Sequence, residues 1–254
     1  LVDFEEEGGV RDNLTADQMI QLDAIPNDNA ISSWKNSVKA IALSHCHFDH
    51  IGAVPYLEKK YDAPVYGTPY TMSVLRAMLR DDKLSMKNQM KTMPTGEIVQ
   101  LGKDLSLEFV SMTHSTLQSS IVALHTKKVV ILYVPDFKLD NHPIIGEKPN
   151  YDRLKELKDE GVIALFADSL YSRYDMKMPS ERVAREMLQD VLFETENRGN
   201  AIVGTCFASH IERLKSFVEF GNKMGRRVVL LGRSMMKYCD AADEVGLVDF
   251  RKQA

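Results

Sequence analysis

Within six residues the chain places three imidazoles and a carboxylate: His45, His47, Asp49 and His50, in the run Ser44-His45-Cys46-His47-Phe48-Asp49-His50. Such groups are costly to bury unpaired. A divalent cation satisfies several of them at once. Mixed imidazole and carboxylate donors suit zinc, with manganese or iron as rivals. The spacing of two lets His45 and His47 point the same way from an extended loop, while Asp49 and His50 turn toward a second ion. The bland alternative is a polar surface loop. With only 7 His in 254 residues, three in one hexapeptide argue against it. Cys46, between two ligands, should point away and pack.

These groups need a scaffold. The apolar run Val38 to Leu43 reads as a strand ending at the cluster. Ala53 to Tyr61 reads as a helix, Pro64 to Tyr66 as a strand and Thr71 to Leu79 as a helix. Residues 81–96, charged and rich in Met, read as a helix or an excursion. Strands follow at Leu105 to Ser111, Ser119 to His125 and Lys128 to Tyr133. The last two are joined by a tight turn at Thr126-Lys127. Tyr151 to Glu160 is a helix stopped by Gly161, and Val162 to Ala167 is an apolar strand.

Ser180 then caps a helix with the stripe Val183, Met187 and Val191, beside Ala184, Leu188 and Leu192. Ala201 to Thr205 reads as a strand, and Ile211, Leu214, Phe217, Val218 and Met224 mark a helix. Arg227 to Leu231 reads as a strand and Ser234 to Glu244 as a helix. This alternation is that of a doubly wound α/β unit. It divides the chain into residues 1–178 and 179–254. His125 and His142 fall in turns and His210 at a helix start, all expected at the surface.

Composition narrows the function. Hydrophobic residues at 44% exclude a disordered tail or a collagen. No run of about 18 apolar residues exists, so no membrane-spanning helix is expected. Three scattered cysteines without a C-x-x-C pair argue against a cysteine zinc site and suit a reducing cytoplasm. The net charge of -4 argues against a general basic coat. Residues 173–237, however, carry 12 Lys+Arg against 8 Asp+Glu. A mildly basic half beside an acidic remainder can steer a phosphate backbone.

The H-x-H-x-D-H cluster resembles the metallo-β-lactamase signature. Finer motifs resemble the ribonuclease J family, whose metallo-β-lactamase fold carries a β-CASP domain. Pro135-Asp136-Phe137-Lys138-Leu139-Asp140 is similar to that family's Gly-Asp-Phe-Lys-x-Asp segment, with Pro135 in place of Gly. Phe166-Ala167-Asp168-Ser169 resembles its Ala-Asp-Ser-Thr segment. Thr205-Cys206-Phe207-Ala208-Ser209-His210-Ile211-Glu212-Arg213 resembles Thr-Phe-Ala-Ser-Asn-x-x-Arg. Gly225-Arg226-Arg227 and Gly232-Arg233-Ser234-Met235 resemble Gly-Arg-Lys and Gly-Arg-Ser-Met. The matches are collinear from Val38 to Met235.

The resemblance implies an α/β (α+β) fold: a four-layer αβ/βα sandwich with a partial doubly wound β-CASP domain. It implies two Zn2+ ions, with Mn2+ as the alternative. His45, His47 and His114 would hold the first, Asp49 and His50 the second, and Asp136 would bridge them. The implied reaction is hydrolysis of RNA phosphodiester bonds, 5′-to-3′ or endonucleolytic, with a metal-bound hydroxide as nucleophile. Asp49, Asp136 and Asp168 would serve catalysis, Asp168 by orienting a catalytic group. Ser209, Arg213, Arg233 and Ser234, at strand ends and helix starts, would contact RNA phosphate. A homodimer or homotetramer and a cytoplasmic location are also implied.

Two departures stand against the pattern. Glu5-Glu6-Glu7 follows Val2-Asp3-Phe4 where the family has Gly, and no histidine follows His210 where the family has two late ones. The expectation is a chain cut at both ends, starting inside a strand at Leu1, with an incomplete second metal site and weak or no activity of its own. The competing readings are a non-catalytic RNA-binding or assembly subunit, a β-CASP endonuclease of the cleavage and polyadenylation type, and a small-thioester hydrolase. The Gly-Arg-Ser-Met-like stretch disfavours the endonuclease, and the segment after Asp168 disfavours the thioester hydrolase.

Overall fold

A computed structural model describes residues 14–253. The motif at residues 2–7 lies outside them. Two sheets face each other. The first is parallel, in the order β1 (Ile41–Leu43), β2 (Val65–Gly67), β3 (Met90–Thr92). The second runs β4 (Ile98–Gly102), β5 (Leu105–Ser111), β6 (Ser120–Thr126), β7 (Val130–Val134), β8 (Val162–Ala167). It is antiparallel except for β7 and β8, which are joined through helix α5 (Tyr151–Glu160) and run parallel.

Side chains alternate across each strand. Leu107 and Phe109 of β5 therefore meet Tyr66 and Met93 between the sheets. Val110, with Ile121 and Ala123 of β6, faces the other way onto Leu157 of α5. The other face of the parallel sheet is covered by α4 (Pro69–Asp81), which is buried along most of its length. Pro69 supplies a fixed φ at its first turn, and Gln118 Oε1 accepts the Tyr70 N–H at 2.8 Å. These layers are the four of an αβ/βα sandwich.

The second half supplies α6 (Glu181–Glu194), α7 (Ile211–Lys223), α8 (Arg233–Glu244) and α9 (Phe250–Gln253). Ile211, Leu214 and Val218 of α7 and Cys239, Ala241 and Ala242 of α8 join the same core as Leu43, Val65 and Leu75. One apolar cluster therefore runs across the expected boundary.

Several elements differ from expectation. After α1 (Ala16–Gln21) and α2 (Phe48–Ile51), the helix expected over residues 53–61 is broken into α3 (Val54–Leu57) and a 3-10 turn at Glu58–Lys60. Pro55 lacks the N–H that a continuous helix would need. The excursion over 81–96 contains β3. β4 was not expected; Ile98 and Gln100 face outward while Val99 and Leu101 pack inward. The expected strands at 201–205 and 227–231 are not paired in any ladder among the described residues, and Val203 and Leu231 are exposed. The doubly wound unit is thus represented by its helices. The stripe Val183, Met187 and Val191 faces solvent, and α6 buries Leu192 instead. β8 leaves Ile163, Leu165 and Phe166 exposed.

The position of β3 is set by a buried carboxylate. Glu58 accepts the N–H groups of Lys87 and Asn88, each at 2.9 Å, and Asn88 Nδ2 donates to the carbonyls of Glu58 and Tyr61. Val65 N–H then reaches Gln89 O at 2.9 Å, and the ladder begins. Glu58→Ala strips two backbone donors of their acceptor. It should cost about 2–4 kcal/mol in chemical denaturation, with faster hydrogen exchange at Met90–Thr92. Unchanged exchange there would show that the strand is held by other contacts.

Candidate metal centre

The ligand candidates all leave strand ends. His45 and His47 follow β1, His114 follows β5 and Asp136 follows β7. Three ties bring these loops together. Ser120 donates to Ser44 O from both its N–H and its hydroxyl, at 3.0 Å each. Lys138 N–H donates to Thr113 O at 2.8 Å, and Thr113 Oγ1 donates back to Lys138 O. Asp140 N–H reaches Thr113 Oγ1 at 3.1 Å. The loop carrying His114 and the loop carrying Asp136 are therefore one hydrogen-bonded unit.

Four ligand atoms converge from His45, His47, His114 and Asp136, and three from Asp49, His50 and Asp136. In the first group His47 Nδ1 lies 3.1 Å from His114 Nε2. Asp136 Oδ2 lies 3.7 Å from His114 Nε2 and 3.8 Å from His45 Nε2. Donors bound tetrahedrally at metal–nitrogen distances would stand roughly 3.4 Å apart. In the second group His50 Nε2 is 3.2 Å from Asp49 Oδ2 and 3.4 Å from Asp136 Oδ2. Asp136 Oδ2 is common to both groups, as a bridging carboxylate would be.

The donor chemistry fits a cation. His45 is fully buried, and its Nε2 has no hydrogen-bond partner among the described residues. Its Nδ1 is satisfied by Ser44 Oγ at 3.2 Å, which leaves the Nε2 lone pair aimed into the cluster. Burial, reinforced by the neighbouring imidazoles, holds His45 down to about 2 and His47 and His114 to about 4. At neutral pH all three are uncharged, as ligands must be. The hydrogen bond from His50 holds Asp49 at about 2. Burial works to lower His50, but the Asp49 and Asp136 carboxylates outweigh it and raise the imidazole.

A second polar layer lies below. Asp140, buried, accepts Ser180 Oγ–H at 2.6 Å, Glu181 N–H at 2.7 Å and His142 N–H at 2.8 Å, with Lys138 Nζ at 3.2 Å. Glu181, also buried, is gripped by Arg213 through Nη2 at 2.9 Å and by His210 Nε2 at 3.3 Å. These partners overcome burial and hold Glu181 at about 2. Glu212 accepts Ile144 N–H at 2.9 Å, and burial pushes it up to about 7.

Other expected residues fall elsewhere. Cys46 is buried, its Sγ 2.9 Å from Thr116 Oγ1. Asp168 is exposed and accepts the Leu170 N–H at 2.9 Å. Among the described residues no hydrogen bond joins it to the histidines. Arg213 is occupied by Glu181. Ser209 turns inward, its Oγ 3.2 Å from His47 Nε2. Arg233 and Ser234 are exposed at the start of α8. Three histidines are expected at the surface, and the structure departs from this at two of them. His125 lies in β6 and is paired with Glu108 at 2.8 Å, and His210 is paired with Glu181, whereas His142 is exposed as expected. A carboxylate facing each of the first two made burial affordable. Sequence reasoning missed Ser44 and Glu181. Ser44 borders the cluster directly, whereas nothing near Glu181 in sequence pointed to His210.

Comparison with known proteins agrees with this geometry. Residues 35–136 match the metallo-β-lactamase superfamily. A crystal structure of an Enterococcus faecalis V583 protein of unknown function superimposes with a TM-score of 0.57 at 18% identity, covering 83% of this chain and 49% of that one. That likeness concerns the fold. Residues 199–254 match the ribonuclease J β-CASP domain. Ribonuclease J of Pyrococcus abyssi is 42% identical over 94% of this chain and 53% of its own. Ribonuclease J of Methanocaldococcus jannaschii is 41% identical over 92% and 52%. The fold and cluster define a protein of the metallo-β-lactamase superfamily. Within it, the chain belongs to the ribonuclease J family. It spans about half the length of the curated relatives it matches.

Glu212 gives a pH test of the polar layer. Its folded value, about 7, lies above the ordinary 4.5. The stability it contributes is full below the ordinary value and is lost as pH rises through about 7. Glu212→Gln should therefore gain on wild type between about pH 4.5 and 8, by on the order of 3 kcal/mol. Denaturant melts at both pH values measure the gap. A gap that does not widen means that the carboxyl is not held neutral.

Proposed function

We propose that this chain carries the metal-binding core and part of the RNA clamp of a zinc-dependent ribonuclease that hydrolyses RNA phosphodiester bonds. The carrying observation is the convergence of the His45, His47, His114 and Asp136 donor atoms around a buried His45 Nε2 that has no hydrogen-bond partner among the described residues. It stands in a chain more than 40% identical to proteins named ribonuclease J. Zinc suits three imidazoles and a carboxylate, with manganese as the alternative. Divalent cations held there would supply Lewis acidity to the phosphate oxygens and to the attacking water.

The chain's own groups do the rest. His45, His47 and His114 present uncharged nitrogens. Asp136 belongs to both donor groups and fixes their separation. Asp49 is the most open carboxylate of the cluster, and its Oδ2 accepts from His50 Nε2 at 3.2 Å. Asp168, one strand over, would orient a group arriving with substrate. Arg233 and Ser234, exposed at the N-terminus of α8, are the phosphate contacts of this reading. It includes 5′-to-3′ exonuclease action on RNA, a homo-oligomer and a cytoplasmic location. The three free thiols suit that compartment. Among the described residues no helix is long and apolar enough to cross a membrane. The domain division near residues 178 and 179 belongs to the same reading, as a division of roles across a shared core.

Asp136→Asn in the purified protein should lower hydrolysis of a 5′-monophosphorylated RNA at least about 100-fold, a loss of about 3 kcal/mol of transition-state stabilisation. Elemental analysis should show bound metal falling in parallel. Progressive shortening from the 5′ end supports the exonuclease, and cleavage of a circular RNA supports the endonuclease. RNA binding with metal bound but no hydrolysis would replace this reading with that of a non-catalytic subunit.

A further inference from the structure

One contact at the centre crosses from the second half of the chain to a ligand histidine. His47 offers Nδ1 to the cluster, 3.1 Å from His114 Nε2. Its other nitrogen, Nε2, faces Ser209 Oγ at 3.2 Å. Ser209 lies 162 residues downstream, just before α7. An imidazole ligating through Nδ1 must carry its proton on Nε2. A hydroxyl accepting that proton selects the tautomer and holds the ring plane.

Ser209 is itself held firmly. Its neighbour His210 pairs with Glu181, as does Arg213 one turn further on. Glu181 N–H is bound by Asp140, in the segment that also carries Asp136. A closed ring of polar contacts thus leads from one ligand loop through α6 and α7 back to another ligand.

We propose that Ser209 is a positioning residue for the metal centre: its hydroxyl accepts the Nε2 proton of His47 and presents Nδ1 to the first cation. The proposal deepens the metal reading above and rests on it. It gives Ser209 an inward role in place of the phosphate contact expected from sequence.

The test uses the purified protein labelled with 15N-histidine. In metal-free wild type, long-range 15N–1H spectra should show His47 protonated at Nε2. Ser209→Ala should leave a mixture of tautomers. In zinc titrations against a chromophoric chelator, it should weaken the tighter site about 10- to 100-fold. Ser209→Thr, which keeps the hydroxyl, should restore affinity to within a few-fold. A purely structural role would weaken both variants and leave the tautomer unmoved. Wild-type affinity in Ser209→Ala, or a proton on Nδ1 in metal-free wild type, overturns the proposal. The wild-type spectrum decides even if the alanine variant fails to fold. Failure of wild type to bind zinc or manganese would sink the metal reading separately, since the tautomer is read without metal.

Discussion

The centre is organised by one unmet electrostatic demand. His45 is wholly buried and one of its nitrogens has no hydrogen-bond partner among the described residues. A buried acceptor left without a donor costs free energy comparable to a lost hydrogen bond or more. The donor atoms of His47, His114 and Asp136 share the same small volume. Desolvation, with mutual repulsion, keeps His45, His47 and His114 uncharged, while the Asp49 and Asp136 carboxylates raise His50. The surrounding architecture works against this local cost. It holds lone pairs together that would separate if the loops were free.

That work is done by backbone more than by side-chain bulk. The paired exchange between Thr113 and Lys138 fuses two strand-end loops, and Ser120 pins a third. Below them, Asp140 and Glu181 turn the attachment of α6 and α7 into an extension of the same network. Such buried carboxylates are tolerable because each has several donors. Remove one donor and the charge remains, which is why the layer is stiff rather than adaptable.

The metal cluster was legible because its chemistry is local: three histidines in six residues make their own case. His114 and Asp136 were legible through motif order. The strands β5 to β8 and the helices α4 to α8 were readable because their apolar periodicity is regular. What escaped was set by distance in sequence. β3 is a three-residue strand amid charged residues, placed by Glu58 from 29 residues away. The inward turn of Ser209 and the pairing of His210 depend on partners that no nearby pattern announces. The segments 201–205 and 227–231 have strand-like sequence but no ladder among the described residues. An extended pattern specifies a preference, and only a neighbour converts it into a sheet.

The apolar cluster beneath the parallel sheet has a consequence for how such a chain could be rebuilt. Leu75 of α4 shares its packing with α7 and α8, so the second half of the chain is not a detachable module on a self-sufficient base. Grafting another family's insertion at residue 179 would expose one side of α4 unless that helix were redesigned with it. Sequence drift in the two halves is bound together through this buried seam, as in two subunits of an obligate dimer that happen to share a chain.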